Sequence, residues 1–289
     1  MASLKEVKTK ISGVKKTAQI TKAMNMVAAS KLRGAQEKME AFRPYASKFD
    51  EAMSNLSGGA NTTGFPLMEV RDVKTVELVV VTSDRGLCGS FNANIIKLAL
   101  AKMAEYEAAG KKVSFVCVGK KGSQALNKTG RVRKSYRDIM GNFQMFNARE
   151  IATDIATEFL SGATDKVEII SAHFKSVAIQ RPAIAAVLPV QPIVGTSATE
   201  KNFSGDYIYE PSTEEIMDVL QPLYLNVIVY HAMLEVGASE HAARMTAMDN
   251  ATNACKDMVR NLTIIYNKAR QAAVTSELMD IVGGAEALK

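Results

Sequence analysis

No run of 18 or more uninterrupted apolar residues occurs in this 289-residue chain, so no transmembrane helix is expected. The opening residues, Met1-Ala2-Ser3-Leu4-Lys5-Glu6, lack the apolar centre of a secretory signal, and an Arg-rich, acid-poor transit peptide is missing too. Cysteine is scarce. Cys88, Cys117 and Cys255 are far apart, odd in number and without a CxxC pair, which argues against a disulfide framework or a zinc site and fits a reducing, cytoplasmic compartment. The three histidines, His173, His231 and His241, have no partner at metal-ligand spacing, so each reads as structural. Phosphate-binding glycine patterns are also lacking. Neither Ser83-Asp84-Arg85-Gly86-Leu87-Cys88-Gly89-Ser90 nor Gly119-Lys120-Lys121-Gly122-Ser123 follows GxGxxG or GxxxxGK[ST]. Cys88 has no histidine in its own motif, so a nucleophile reading is weak.

What the chain does have is apolar content, 47% of its residues, and an uneven charge. Residues 1–50 hold eleven Lys/Arg against four Asp/Glu, whereas residues 212–289 hold six against ten. The two ends should therefore attract each other. A basic N-terminal arm also raises nucleic acid or an anionic membrane as partners.

Both ends read as helices. In residues 1–56 the positions Leu4, Val7, Ile11, Val14, Ala18, Thr21, Asn25, Ala28, Leu32, Ala35, Met39 and Phe42 step by threes and fours. That is a heptad seam with two polar members. Beside them the apolar face drifts to Ile20, Met24 and Val27. Pro44 marks a kink or partial break, and Ser57 to Gly64 reads as a loop. In residues 212–287, Ser212 caps a second helix with Glu215 three residues on. Pro222 kinks its first turns, and the helix lasts until Gly283-Gly284. Its seam is Val227, Tyr230, Leu234, Gly237, His241, Met245, Met248, Thr252, Cys255, Val259, Leu262, Tyr266, Ala269 and Ala273. The two four-residue steps through His241 form a stutter. About 60 helical residues span roughly 90 Å. Single helices this long do not stand alone in water. If the middle folds as a compact unit its ends lie close together, so the helices pair antiparallel.

The middle, residues 74–205, alternates strand and helix patterns. Strands are expected at Val76–Thr82, Val113–Val118, Arg131–Tyr136 and Val167–Ser171, with an edge strand at Pro182–Leu188. Helices are expected at Ala93–Ala109, Ser123–Asn127 and Ala148–Ser161. The fold class is thus α/β plus a long antiparallel coiled coil, with a Rossmann-like, mainly parallel open sheet inserted between the paired terminal helices. The loop after the first strand sits where such sheets bind ligands. Without a phosphate pattern it reads as structural or as a docking surface.

Three stretches carry a family resemblance. Ile20-Thr21-Lys22-Ala23-Met24-Asn25-Met26-Val27-Ala28-Ala29-Ser30-Lys31-Leu32-Arg33 resembles the N-terminal helix of F-type ATP synthase gamma subunits. Thr82 to Gly89 is similar to that family's central loop. Ala243 to Thr252, Tyr266 to Ala272 and Val274 to Ala285 are similar to its C-terminal helix. The resemblance implies a non-catalytic rotor shaft in a proton-translocating ATP synthase. Its partners would be the alpha and beta subunits of an alpha3beta3 hexamer, the epsilon subunit and the membrane-embedded c-ring. It implies no catalytic residue, no cofactor and no metal here, because the ATP sites lie in the hexamer. Met24, Arg244, Gln271 and Thr275 match family positions linked to coupling and to contact with beta-subunit loops, and Lys31 and Arg33 would meet acidic beta loops. Asp206-Tyr207-Ile208-Tyr209-Glu210 resembles the family's segment at the c-ring, with Tyr207, Tyr209 and Glu210 as contacts. Asn25 stands where the family often has a basic residue, and Ser90-Phe91 where small or aliphatic residues are commoner. No extra cysteine pair is inserted, so the thiol switch of chloroplast relatives is not expected. The implied location is the cytoplasmic face of a bacterial inner membrane, reached through the c-ring.

Two other classes remain open: a basic coiled-coil adaptor, and a nucleotide-binding α/β enzyme. The first predicts aromatics interleaved with basic residues, yet residues 1–50 hold only Phe42, Tyr45 and Phe49, past the densest charge. The second predicts a phosphate loop.

Overall fold

The structure, a computed structural model, describes residues 4–59, 65–190, 210 and 212–287. Helix α1 spans Leu4–Gly59 and a single 3₁₀ turn follows at Pro66–Met68. Next come β1 (Thr75–Val81), α2 (Phe91–Ala108), β2 (Lys112–Val118), α3 (Lys120–Leu126), β3 (Val132–Tyr136), α4 (Met145–Leu160), β4 (Lys166–Phe174) and β5 (Gln180–Leu188). Helix α5, Thr213–Ala287, closes the chain with 75 residues.

The five strands lie in the order β3-β2-β1-β4-β5. β1, β2, β3 and β4 run parallel, and β5 is an antiparallel edge. Covered on both faces, β1 reads from Val76 to Val81 as one apolar run apart from Glu77. Helices α2 and α4 face the core with Ile95 and Ala99, and with Ile151, Ile155 and Phe159. All the expected strands and helices of the middle are present, with ends shifted by a few residues.

The chain divides into two compact units, one of Met1–Ala29 with Arg244–Lys289 and one of Ser30–Ala243. In the first, α1 and α5 pair antiparallel. Thr21 Oγ1 lies 2.7 Å from Thr252 Oγ1, and Asn25 Nδ2 donates to the Met245 carbonyl at 2.8 Å. The predicted seam positions are the ones withdrawn from solvent, from Val7 to Ala28 on α1 and from Met245 to Ala273 on α5. In the second unit the same sense holds. Phe42 meets Tyr230 edge-on at 5.0 Å, and Asp50 is hydrogen-bonded to Tyr224. Residues 232–240 of α5 are buried on every side, Glu235, Ser239 and Glu240 included. An apolar window within Glu214–Ala285 is long enough to cross a bilayer by composition, but more than half of it is buried inside the protein.

Several expectations need correcting. Pro44 does not break α1. The bond lost at its missing N–H is outweighed by packing around it, where Tyr45 lies 5.4 Å from Phe42 and 4.9 Å from Phe49. Residues 57–59 belong to α1 rather than to a loop, and residues 60–64 lie outside the described residues. Pro222 sits inside unbroken helix, whose first turn is held by the Glu215 N–H donating to Ser212 Oγ at 3.2 Å. Gly283 and Gly284 do not end α5, which runs to Ala287. Ile20 and Val27 do not extend the apolar face inward: they are 60% and 58% exposed. The bonds described at the first unit's centre, Thr21 with Thr252 and Asn25 with the Met245 carbonyl, are between neutral groups.

Candidate functional surfaces

The edge of the sheet where α/β proteins take ligands is closed by the protein's own groups. Asp84, after β1, accepts three backbone N–H bonds: Lys120 at 2.8 Å and Asp138 at 3.0 Å on Oδ1, and Met140 at 2.8 Å on Oδ2. One carboxylate thus consumes the donors that would cradle a phosphate, and it ties together the loops after β1, β2 and β3. Behind it, Asn92 Oδ1 accepts the Ser83 N–H at 3.0 Å, and Asn92 Nδ2 donates to Ser83 Oγ at 2.8 Å and Cys88 Sγ at 3.2 Å.

The glycines of Gly119-Lys120-Lys121-Gly122 serve packing. A Cβ on Gly119 would sit 2.2 Å from the Thr82 carbonyl oxygen, and one on Gly122 would sit 2.8 Å from Thr82 Oγ1. Gly122 N–H donates to that hydroxyl at 2.8 Å. Cys88 is buried, and burial pushes the Cys117 thiol up to about 12. Among the described residues no group of three or more His, Cys, Asp or Glu is placed to hold a metal ion.

Sequence reading missed two buried charge clusters. Glu77 on β1 is fully buried and meets Arg133 of β3 at 2.6 Å, while Arg133 reaches Asp154 of α4 at 2.7 Å. Burial holds the Glu77 carboxyl above its ordinary value despite the bond from Arg133. Burial would also raise Asp154, but bonds from Arg133 and Lys134 outweigh it and hold that carboxyl low. On the other side of β1, Tyr106 of α2 donates to Glu168 of β4 at 2.7 Å, and Lys166 lies 2.7 Å from the same oxygen. A glutamate inside an otherwise apolar strand run was the signal in both cases. These clusters fasten helices to the sheet, and their charges are spent on each other.

The predicted contact residues fall in both units. In the first, Met24 and Arg244 are half-buried, while Gln271 and Thr275 are exposed one turn apart on α5. Thr275 Oγ1 donates back to the Gln271 carbonyl at 2.9 Å. In the second, Lys31 and Arg33 are exposed, and Arg33 meets Glu37 on its own helix at 3.1 Å. Lys31 also edges a cavity of about 210 Å³, shared with Gly34, Lys38, Phe143, Gly237 and His241. Glu210 is exposed, and Tyr207 and Tyr209 lie outside the described residues. A larger cleft of about 700 Å³ opens between α4 and the first turns of α5, lined by Phe146, Leu160, Val219 and Leu223 among others.

The most extended surface was not foreseen. In the first unit, α1 exposes Ile20, Met26 and Val27, and α5 exposes Met258, Ile264, Ile265, Val274, Leu278, Met279, Ile281 and Val282. Ile20, Met26, Val27, Met258, Ile264 and Ile265 lie off the seam, and Val274 to Val282 lie past its last position, Ala273, where every side chain of α5 up to Ala285 is exposed, so pairing the two helices covers none of them. An apolar surface this extended marks a site of association.

A family model described as ATP synthase matches residues 3–288. The chain is 75% identical over 290 residues to the ATP synthase gamma chain of Desulfotalea psychrophila, each chain being covered in full. It is 50% identical over 291 residues to that of Maridesulfovibrio salexigens, again over the whole of both. Among solved structures it is similar to a chain of the central stalk/c-ring of the Tetrahymena thermophila mitochondrial ATP synthase. The TM-score there is 0.61 at 29% identity, covering 80% of this chain and 99% of that one. A chain of the Euglena gracilis mitochondrial ATP synthase shares the fold, with a TM-score of 0.70 at 21% identity, covering 99% and 94%.

Proposed function

The chain belongs to the ATP synthase gamma chain family, and we propose that it is the central rotor stalk of a bacterial rotary ATP synthase, coupling proton-driven rotation of a c-ring to ATP synthesis or hydrolysis in an alpha3beta3 hexamer. The observation that carries the reading is the apolar surface of the Met1–Ala29/Arg244–Lys289 unit. Paired helices with Ile20, Val27 and Ile264 turned outward, and an end of α5 past the seam that exposes Leu278 and Ile281, call for an apolar sleeve of protein around them. The clamp at Asp84 supports a non-catalytic role, since the backbone donors of a nucleotide site are already taken.

The chemistry left to this chain is differential contact. One chain cannot offer the same face to three equivalent catalytic subunits, so each meets a different side and is biased toward a different state. Contact free energy that differs between the states is sufficient for this. Turning the stalk by a third of a revolution hands each subunit its neighbour's bias. In this reading Met24, Arg244, Gln271 and Thr275, with Lys31 and Arg33, meet the beta subunits. Tyr207, Tyr209 and Glu210 meet the c-ring, and the sheet domain (residues 74–205) carries the epsilon subunit. The stalk then works at the cytoplasmic face of the inner membrane without entering the bilayer.

Reconstitution with alpha and beta subunits tests this. A bead fixed to the sheet domain should turn in one direction when ATP is supplied, while the isolated chain hydrolyses none. Active alpha and beta subunits whose bead stays still, or ATP turnover by the isolated chain, would overturn the reading.

A further inference from the structure

Two lysines of α1 line an open slot whose lining holds no acidic group. Lys31, Gly34, Ala35 and Lys38 recur at the three- and four-residue steps of one helix face. All four line the cavity of about 210 Å³ described above, which Gly237 and His241 of α5 and the loop after β3 also line. Phe143 of that loop is fixed by α5. Its ring stands edge-on to Tyr230 at 5.9 Å, and a Cβ on Gly237 would lie 3.4 Å from it. A Cβ on Gly34, by contrast, would meet nothing within 4 Å. A glycine inside a helix lowers its stability, and none of the described groups takes up the space that a side chain would fill there. The slot lies wholly inside the Ser30–Ala243 unit.

Its charge is equally unspent. Lys31 and Lys38 are exposed, and neither ammonium has an ion pair or a hydrogen bond among the described residues. On the same helix Arg33 pairs with Glu37 and Lys48 with Glu51. The two lysines at the slot are therefore like charges beside an unfilled space.

We propose that the slot binds a small phosphate-class polyanion, of pyrophosphate size, between the Lys31 and Lys38 ammonium groups. Two helical turns separate the lysines, about 10 Å along the axis. Each ammonium is a compact charge on a flexible four-carbon stem, so the pair can close over Gly34 on the two ends of one elongated anion. Hydrogen bonds from an ammonium to phosphate oxygens are charge-assisted and among the stronger ones, and the Asn142 amide in the lining adds a neutral donor. The volume falls below the roughly 300 Å³ at which pockets for drug-sized molecules begin, which favours an inorganic polyanion over a nucleotide. A bound anion would cancel the repulsion between the lysines and join α1 to the loop after β3.

The proposal does not rest on the rotor reading, which sets Lys31 against a beta subunit but gives Lys38 and Gly34 no part. Calorimetric titration of the whole isolated chain with pyrophosphate, at constant ionic strength, tests it. The unaltered chain should bind saturably. Lys38→Gln should weaken binding about tenfold, the loss of one charge-assisted contact. Gly34→Leu keeps both lysines but fills the slot, and should abolish binding. Its thermal midpoint without the anion should not fall, because leucine is the better helix former and enters open space. Lys16→Gln, an exposed lysine of α1 outside the slot, should bind as the unaltered chain does. Absence of saturable binding to the unaltered chain overturns the proposal. So does undiminished binding by Gly34→Leu, or a lowered midpoint in that variant, which would mean that the space is already used. Equal weakening in Lys16→Gln and Lys38→Gln overturns it as well, since it would reveal diffuse attraction to a basic helix.

Discussion

Position 119 shows how little freedom the sheet edge has. Gly119 sits at φ +97° and ψ 146° with the Thr82 carbonyl where a Cβ would go. Gly119→Ala should cost about 3 kcal/mol or more, read as a lower urea midpoint at unchanged slope. Asp84→Ala strands three backbone donors at once. With each unmade bond worth roughly 1 kcal/mol or more, a loss of about 3 kcal/mol is expected, with faster exchange at Lys120, Asp138 and Met140. Asp154 adds a pH dependence. Its carboxyl is held below the ordinary value, so its contribution is complete above the unfolded-state value and is lost as pH falls through the folded one. The stability gap between Asp154→Asn and the parent should therefore be largest at pH 7 and shrink towards pH 3.5. A gap that stays constant with pH would remove the charge from the explanation.

At the scale of the element, the polar layer in the paired helices fixes their register. Thr21 and Thr252 have two hydroxyl hydrogens for three contacts: one to each other, one to the Ala18 carbonyl and one to the Met248 carbonyl. A one-turn slip would separate the hydroxyls and bury each against methyl and methylene groups. A double-mutant cycle of Thr21→Val and Thr252→Val should give a coupling of about 1 kcal/mol in thermal unfolding. Additive effects would mean that each threonine is satisfied by its own helix. The seams were legible because helical period is a local property and each seam residue reports it independently. The breaks expected at Pro44 and at Gly283-Gly284 were misread, because breaker propensities of up to about 3 kcal/mol are only one local contribution. At Pro44 they are offset by ring packing of Phe42 against Tyr45 and against the distant Tyr230, whereas Gly283 and Gly284 stand in open space and no packing accounts for the helix through them. Ile20 and Val27 were misread because period alone does not say whether an apolar residue beside the seam faces a second helix or another protein.

For the whole molecule the proposed contacts lead to a functional split. Met24 is half-buried beside the seam, and Met24→Lys adds a charge there without removing a seam residue. We expect assembly with alpha and beta subunits to survive and ATP-driven proton pumping to fall more than ATP hydrolysis does. Unchanged pumping would take Met24 out of the coupling surface. The family was legible in three stretches of sequence, whereas the clamp at Asp84 and the 2.9 Å contact of His173 on β4 with Glu235 on α5 were not. Both join residues from different elements: Asp84 lies 54 residues from Asp138, and His173 lies 62 from Glu235.

The pairing of Thr21 with Thr252 also imposes a delay. The ribosome adds 231 residues between one partner and the other, which takes roughly 10–50 s at 5–20 residues per second. Throughout that interval Val7, Ala28 and Leu32 have emerged with no helix to cover them. The sheet can therefore be complete well before the helix that closes the seam exists.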